Sequence, residues 1–144
     1  MGNLATLAQM LRERANNIGK TSNDIKKKVV LAIVNDLVYH TPVDTSQALS
    51  NWQVSIGAPK TDFIAAYYEG EGGSTQKSSA AEAIRVATNL LKNVQPGQTV
   101  FITNNAPYIE QLNNGSSAKA PAGFVERAEL LGRRVLNQEK AKHG

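Results

Sequence analysis

Two histidines, one close pair of carboxylates and two glycine-containing stretches are the parts of this chain whose residue types invite a chemical role. His40 lies four residues before Asp44, and with a serine such a pair would supply a base and its orienting acid for nucleophilic catalysis. Pro42 stands between them and disfavours helical geometry in the residue before it, so a helix is expected to end at Thr41. There His40 has a simpler use against the helix dipole, and Asp44 as a cap for the turn that follows. His143 is the penultimate residue, and with two histidines and no cysteine a histidine-rich or thiolate metal site is not expected. Glu69 and Glu71 are set among glycines, where a backbone this free does not preorganise acid-base chemistry. Gly19-Lys20-Thr21 resembles the end of a phosphate-binding loop, but Arg14 occupies the position of its first glycine. Gly70, Gly72 and Gly73 lack the spacing of a dinucleotide fingerprint. Met1-Gly2 with Thr6 and Asn114-Gly115-Ser116 match acylation and glycosylation patterns too short to carry weight. No catalytic constellation survives, and the chain is expected to be neither an enzyme nor a cofactor carrier.

Charge narrows the classes further. Residues 1–30 carry six Lys or Arg against two acids and residues 127–144 five against two, whereas residues 31–126 carry five against eight. An acidic body between basic ends suits charge-complementary assembly or non-specific contact with nucleic acid. Lys26-Lys27-Lys28 and Arg133-Arg134 are the candidate phosphate contacts, but no zinc finger or aromatic RNA-binding signature accompanies them. No apolar run is long enough for a membrane span: the longest, Val29 to Val34, is bounded by lysines and Asp36. The first residues also lack the basic-then-apolar pattern of a secretory signal, since Gln9, Arg12, Glu13 and Arg14 interrupt it.

The elements that would position these residues follow from periodicity. Leu4, Leu7, Leu11, Ala15 and Ile18 recur at helical spacing, and a second helix is expected through Ile25, Val29, Ile33 and Leu37. Trp52, Val54 and Ile56 alternate with polar residues, which predicts a strand with one buried face. Residues 60–79 read as a long excursion rich in Gly and Ser, with little packing. Ser79 to Glu82 fits a capping box that opens a helix through Ile84, Ala87, Leu90 and Leu91. A second strand is expected over Thr99 to Thr103, a helical turn over Tyr108 to Leu112, and an extended crossing over Ser116 to Gly123. Phe124, Ala128, Leu131 and Val135 then mark a last amphipathic helix. At 144 residues this is one domain, 1–144, of the α+β class: a small, mostly antiparallel sheet packed against amphipathic helices, with a long flexible loop.

Two stretches carry a resemblance. Thr41 to Pro59, TPVDTSQALSNWQVSIGAP, and Thr103 to Val125, TNNAPYIEQLNNGSSAKAPAGFV, look like the paired signatures of the tail-completion family of tailed bacteriophages, related to minor tail protein Z of lambda-like phages. The first signature of that family typically reads Thr-Pro-Val-Asp-Thr-Gly before a strand with an aromatic residue. The second reads Asn-Asn-Ala-Pro-Tyr, then a polar turn, a Gly-Thr-Ser-like step and a Pro-Ala-Gly-aromatic helix start. Here Ser46 stands where glycine is usual, and Asn114 stands where an aromatic residue or His often precedes Gly115.

The resemblance implies a structural virion protein of the neck or head-tail junction, assembled in the bacterial cytoplasm. It implies a homo-oligomeric ring, a hexamer favoured over a dodecamer, through which DNA passes. Neighbouring neck, head-closure or tail-tube proteins and transient contact with genomic DNA complete the expected partners. Candidate assembly residues are Asn104, Asn105, Pro107, Tyr108, Leu112, Gly115 and Pro121 in the second signature, with Tyr67 and Tyr68 in the excursion. Trp52, Val54, Ile56 and Phe124 are the candidate core. A tail terminator or head-closure subunit is the nearest alternative, and a small non-specific nucleic-acid-binding protein is the alternative from another class.

Overall fold

Residues 23–42, 46–115 and 123–143 are described by the computed structural model of the chain. They form α1 (Asn23–His40), α2 (Gln47–Ser50), β1 (Gln53–Ile56), α3 (Gln76–Leu91), β2 (Val100–Thr103), α4 (Ile109–Asn113) and α5 (Phe124–His143). The expected first helix, the Val43-Asp44-Thr45 step and the Ser116 to Ala122 part of the crossing lie outside the described residues. The fold is α+β: helices dominate, and the two described strands pair antiparallel with Val54 opposite Ile102 and Ile56 opposite Val100.

α1 is the central element because its apolar residues cover a wide stripe. Ile25, Val29, Val30, Ile33, Val34, Leu37 and Val38 are all buried, and each large side chain so removed from water stabilises the fold by about 1.5–3 kcal/mol. The stripe is broad enough for two partners, so α1 packs most extensively on α5 and next on α3. Thr41 ends it: its hydroxyl donates to Leu37 O at 2.5 Å and accepts from Trp52 Nε1 at 2.8 Å. One buried cluster joins α1, α3, α5 and both strands, with Trp52 and Phe124 its largest members.

The packing differs from expectation in three places. α3 starts at Gln76, three residues before the expected cap, and Ser79 is fully buried. Its hydroxyl contacts the N–H and the carbonyl of Tyr68, both at 3.1 Å, so it serves the excursion and not the helix terminus. The core face of α3 is small, made of Ser79, Ala80, Ala83, Ala87 and Leu91, while Ile84 and Leu90 are half-buried.

On α5 the buried stripe is Phe124, Val125, Ala128, Gly132 and Leu136, and Leu131 and Val135 flank it half-buried. Gly132 decides this register: a Cβ there would lie 2.7 Å from Ile33 Cγ1 and closer still to Ile33 Cδ1. Its missing side chain lets α5 approach α1 at the point of closest packing. A glycine carries no weight in a search for apolar periodicity, which is why Leu131 and Val135 drew the stripe towards themselves.

In the third place, the excursion is fastened to the domain instead of passing loosely over it. Asn51 uses both ends of its amide on Ile64, donating to the carbonyl at 2.9 Å and accepting from the N–H at 2.8 Å. Ser50 Oγ accepts from Tyr67 N at 3.1 Å. Gln53 and Asn105 side chains donate to Asp62 O, and Asn105 also donates to Lys60 O. Tyr67 packs on the core. Residues 60–75 therefore follow an irregular but held path, for which side chains replace a sheet ladder.

Candidate assembly surface

The first of the two signature stretches begins at the C-terminus of α1 and ends after β1. Within it Ser46 adopts φ 69° and ψ 6°, and it is the one non-glycine residue with positive φ among those described. For an L-residue this region costs about 1–2 kcal/mol, which glycine avoids. Ser46 is buried, and its hydroxyl lies 2.9 Å from Thr75 Oγ1 at the start of α3. Its carbonyl accepts from Ser50 Oγ at 2.7 Å. These bonds hold the strained turn and tie the first signature to the end of the excursion.

The second signature is tied to the first by Asn104. Its side-chain amide donates to Ala48 O at 2.9 Å and its Oδ1 accepts from Ala106 N at 3.0 Å, with the residue 1% exposed. Asn113 does the same for the far end of the segment. Its Oδ1 accepts from Val125 N at 2.9 Å, its Nδ2 donates to both Glu126 carboxylate oxygens, and its carbonyl accepts from Gly123 N at 2.8 Å. The Asn113 amide thus satisfies Val125 N, a donor at the start of α5 that the helix itself leaves free. Gly115 and Gly123 have φ 90° and 83°, the turn geometry that glycine permits.

The candidate residues separate accordingly. Asn104 is committed within the subunit, as Asn113 is, and is withdrawn as a partner-binding group; the bonds of both satisfy buried backbone of their own domain. Asn105 is half-buried on the excursion carbonyls. Pro107 and Gly115 are exposed, Tyr108 and Leu112 are half-buried against the core, and Pro121 lies outside the described residues. Tyr108 Oη is 3.4 Å from Gln47 Oε1, and burial pushes its pKa above the ordinary tyrosine value. Trp52, Val54 and Phe124 are in the core, and Ile56 packs on it half-buried.

Tyr67 and Tyr68 also divide. Tyr67 is raised in pKa by burial first and then by the Glu82 carboxylate, whereas Tyr68 is 50% exposed. Below them Arg85 donates twice to Glu82, at 2.8 Å and 2.5 Å, and this pair holds the Glu82 carboxyl below its usual range. Phe63, 44% exposed, lies on the same excursion, with Glu69 and Glu71 exposed beside Tyr68.

The basic candidates divide too. Lys26 is buried and donates to Gln98 O at 2.6 Å, and burial lowers its pKa, so it is a packing residue and not a phosphate contact. Lys28 pairs with Glu139 at 3.2 Å and Arg133 with Glu129 at 2.9 Å. Arg127 and Arg134 are exposed, and they flank Leu130, 59% exposed, at positions three before and four after it on α5. Arg134 was expected only as a phosphate contact, and the signal that sets Leu130 beside it and Arg127 is their helical spacing.

His40 is drawn into a local contact, with Nδ1 at 2.8 Å from Asp36 O and 3.2 Å from Asp36 Oδ1. No group of three or more His, Asp or Glu able to hold a metal occurs among the described residues, and none of their helices is long and apolar enough to cross a membrane. No protein-family model, curated protein or solved structure matches this chain.

Proposed function

We propose that this chain is a structural virion protein of a tailed bacteriophage, a tail-completion or neck subunit that works by assembling into a ring at the head-tail junction. The observation that carries the reading is Ser46. The tail-completion signature places glycine at this position, and here the residue adopts the left-handed geometry that glycine favours. A resemblance drawn from letters alone would have no reason to fall on a positive φ. Further support comes from the joining of the two signature segments through Asn104 and Ala48, as expected if they form one structural unit. A subunit of this kind needs a rigid body that presents surface segments, and the buried amides of Asn51, Asn104 and Asn113 provide that rigidity.

The test is electron microscopy of lysates in which the chain is not made. Filled heads and finished tails that remain unjoined would support the reading. Normal joined particles would overturn it.

A further inference from the structure

We propose that subunits associate head to tail, with the aromatic and acidic excursion of one copy docking on the Arg127–Leu130–Arg134 face of α5 in the next. The proposal rests on the reading of the chain as a self-assembling subunit and adds which surfaces meet. Two observations lead to it. The excursion exposes Phe63 and Tyr68 together with Glu69 and Glu71, and among the described residues neither glutamate has an ion pair. On α5 the exposed Leu130 lies between Arg127 and Arg134, which likewise have no ion pair among the described residues. Each stretch sets exposed apolar side chains close in sequence to charges of one sign that are unpaired among the described residues, and the signs are opposite. Complementary potentials of this kind fix register and speed encounter between partners, and aromatic side chains with arginine are the groups enriched in such contacts.

The excursion leads into α3, and α3 and α5 both pack on α1 without extensive contact with each other. An interface between two different surfaces of the same chain is heterologous and propagates until rotation closes it into a ring. The held path of residues 60–75 lowers the ordering cost of docking, because Asn51, Ser50 and Ser79 already restrain the backbone.

Two full-length variants test this by native mass spectrometry and light scattering at a series of protein concentrations, with circular dichroism to confirm folding. One carries Tyr68→Ala, Glu69→Lys and Glu71→Lys; the other carries Arg127→Glu, Leu130→Ser and Arg134→Glu. All six positions are exposed, so both variants are expected to fold. Each alone should self-associate roughly tenfold or more weakly than the original chain, since like charges then face each other. Mixed, the intact acidic and intact basic surfaces still fit, and the two reversed surfaces again carry opposite signs, lacking only the Tyr68 and Leu130 side chains; the mixture should associate more strongly than either variant alone, and a mixture no stronger than the single variants would overturn the interface. Retained wild-type assembly in either variant would overturn the proposed interface while leaving the ring reading in place. A wild-type chain that stays monomeric across the series, or that uses Arg127 and Arg134 to bind duplex DNA without self-association, would overturn the interface; the microscopy of unjoined heads and tails judges the virion role separately.

Discussion

The side chain of Asn104 bonds two buried backbone groups at once; its replacement by alanine strands Ala106 N and leaves Ala48 O with the Asn51 N–H alone. An unsatisfied buried group costs about 1–3 kcal/mol, so Asn104→Ala should lower stability by that order, read as a shift in the denaturation midpoint. A folded Asn104→Ala chain of unchanged stability would return this residue to the list of partner contacts. Ser46 allows a sharper comparison. Ser46→Gly and Ser46→Ala both lose the hydroxyl contact to Thr75, but only alanine keeps the positive-φ cost. The glycine variant should therefore be the more stable of the two by about 1 kcal/mol in chemical denaturation; equal stabilities would mean that the turn is not strained. The strain was invisible in composition, because serine is an ordinary turn residue. It was legible only as a departure from the glycine of the tail-completion signature.

At Gly132 two helices meet through a missing side chain. Gly132→Ala adds helix propensity of about 1 kcal/mol, but overpacking against Ile33 costs about 1–3 kcal/mol and decides the sign. The single variant should be destabilised, and in an Ile33→Ala background the same change should become neutral or favourable. Independent, additive effects would contradict the α1–α5 register. The excursion yields a second prediction, for hydrogen exchange. The amides of Ile64, Tyr67 and Tyr68, which donate to Asn51, Ser50 and Ser79, should exchange more slowly than those of Glu69 and Glu71, and Asn51→Ala should release Ile64. Uniformly fast exchange over residues 60–75 would restore the view of a free loop. The elements with strong apolar periodicity, α1 and the two strands, were legible from spacing alone. α3 and α5 were recognised as helices but only half of each expected face, Ala87 with Leu91 and Phe124 with Ala128, is buried, because Ser79, Ala80, Ala83 and Gly132 complete the buried stripes with small side chains that hydropathy undervalues. The held path of the excursion was missed for a related reason: its restraints are side chains from elsewhere in the chain, while its own residues are those of a flexible loop.

Across the molecule, burial affects alkaline stability through Tyr67 and Tyr108, whose pKa values both lie above the ordinary 10.0. A raised value means that the fold holds the phenol protons more tightly than the unfolded chain does. The stability contributed is complete below pH 10 and is lost as pH rises through the folded pKa values. Denaturation midpoints should fall over that range, and Tyr67→Phe should make the fall shallower; an identical pH dependence in the variant would contradict the buried placement of Tyr67. The uneven charge of the whole chain, basic ends around an acidic body, was legible from the start. Its division into paired groups, such as Lys28 with Glu139, and ones unpaired among the described residues, such as Arg127 and Arg134, required the fold. The proposed virion role depends on all of these surfaces acting in an assembled particle. Its most direct test is quantitative mass spectrometry of virions purified from the cells that make the chain. The chain is expected in the particles at a small, fixed copy number matching one ring, and its presence only in the soluble fraction, never with particles, would contradict that role.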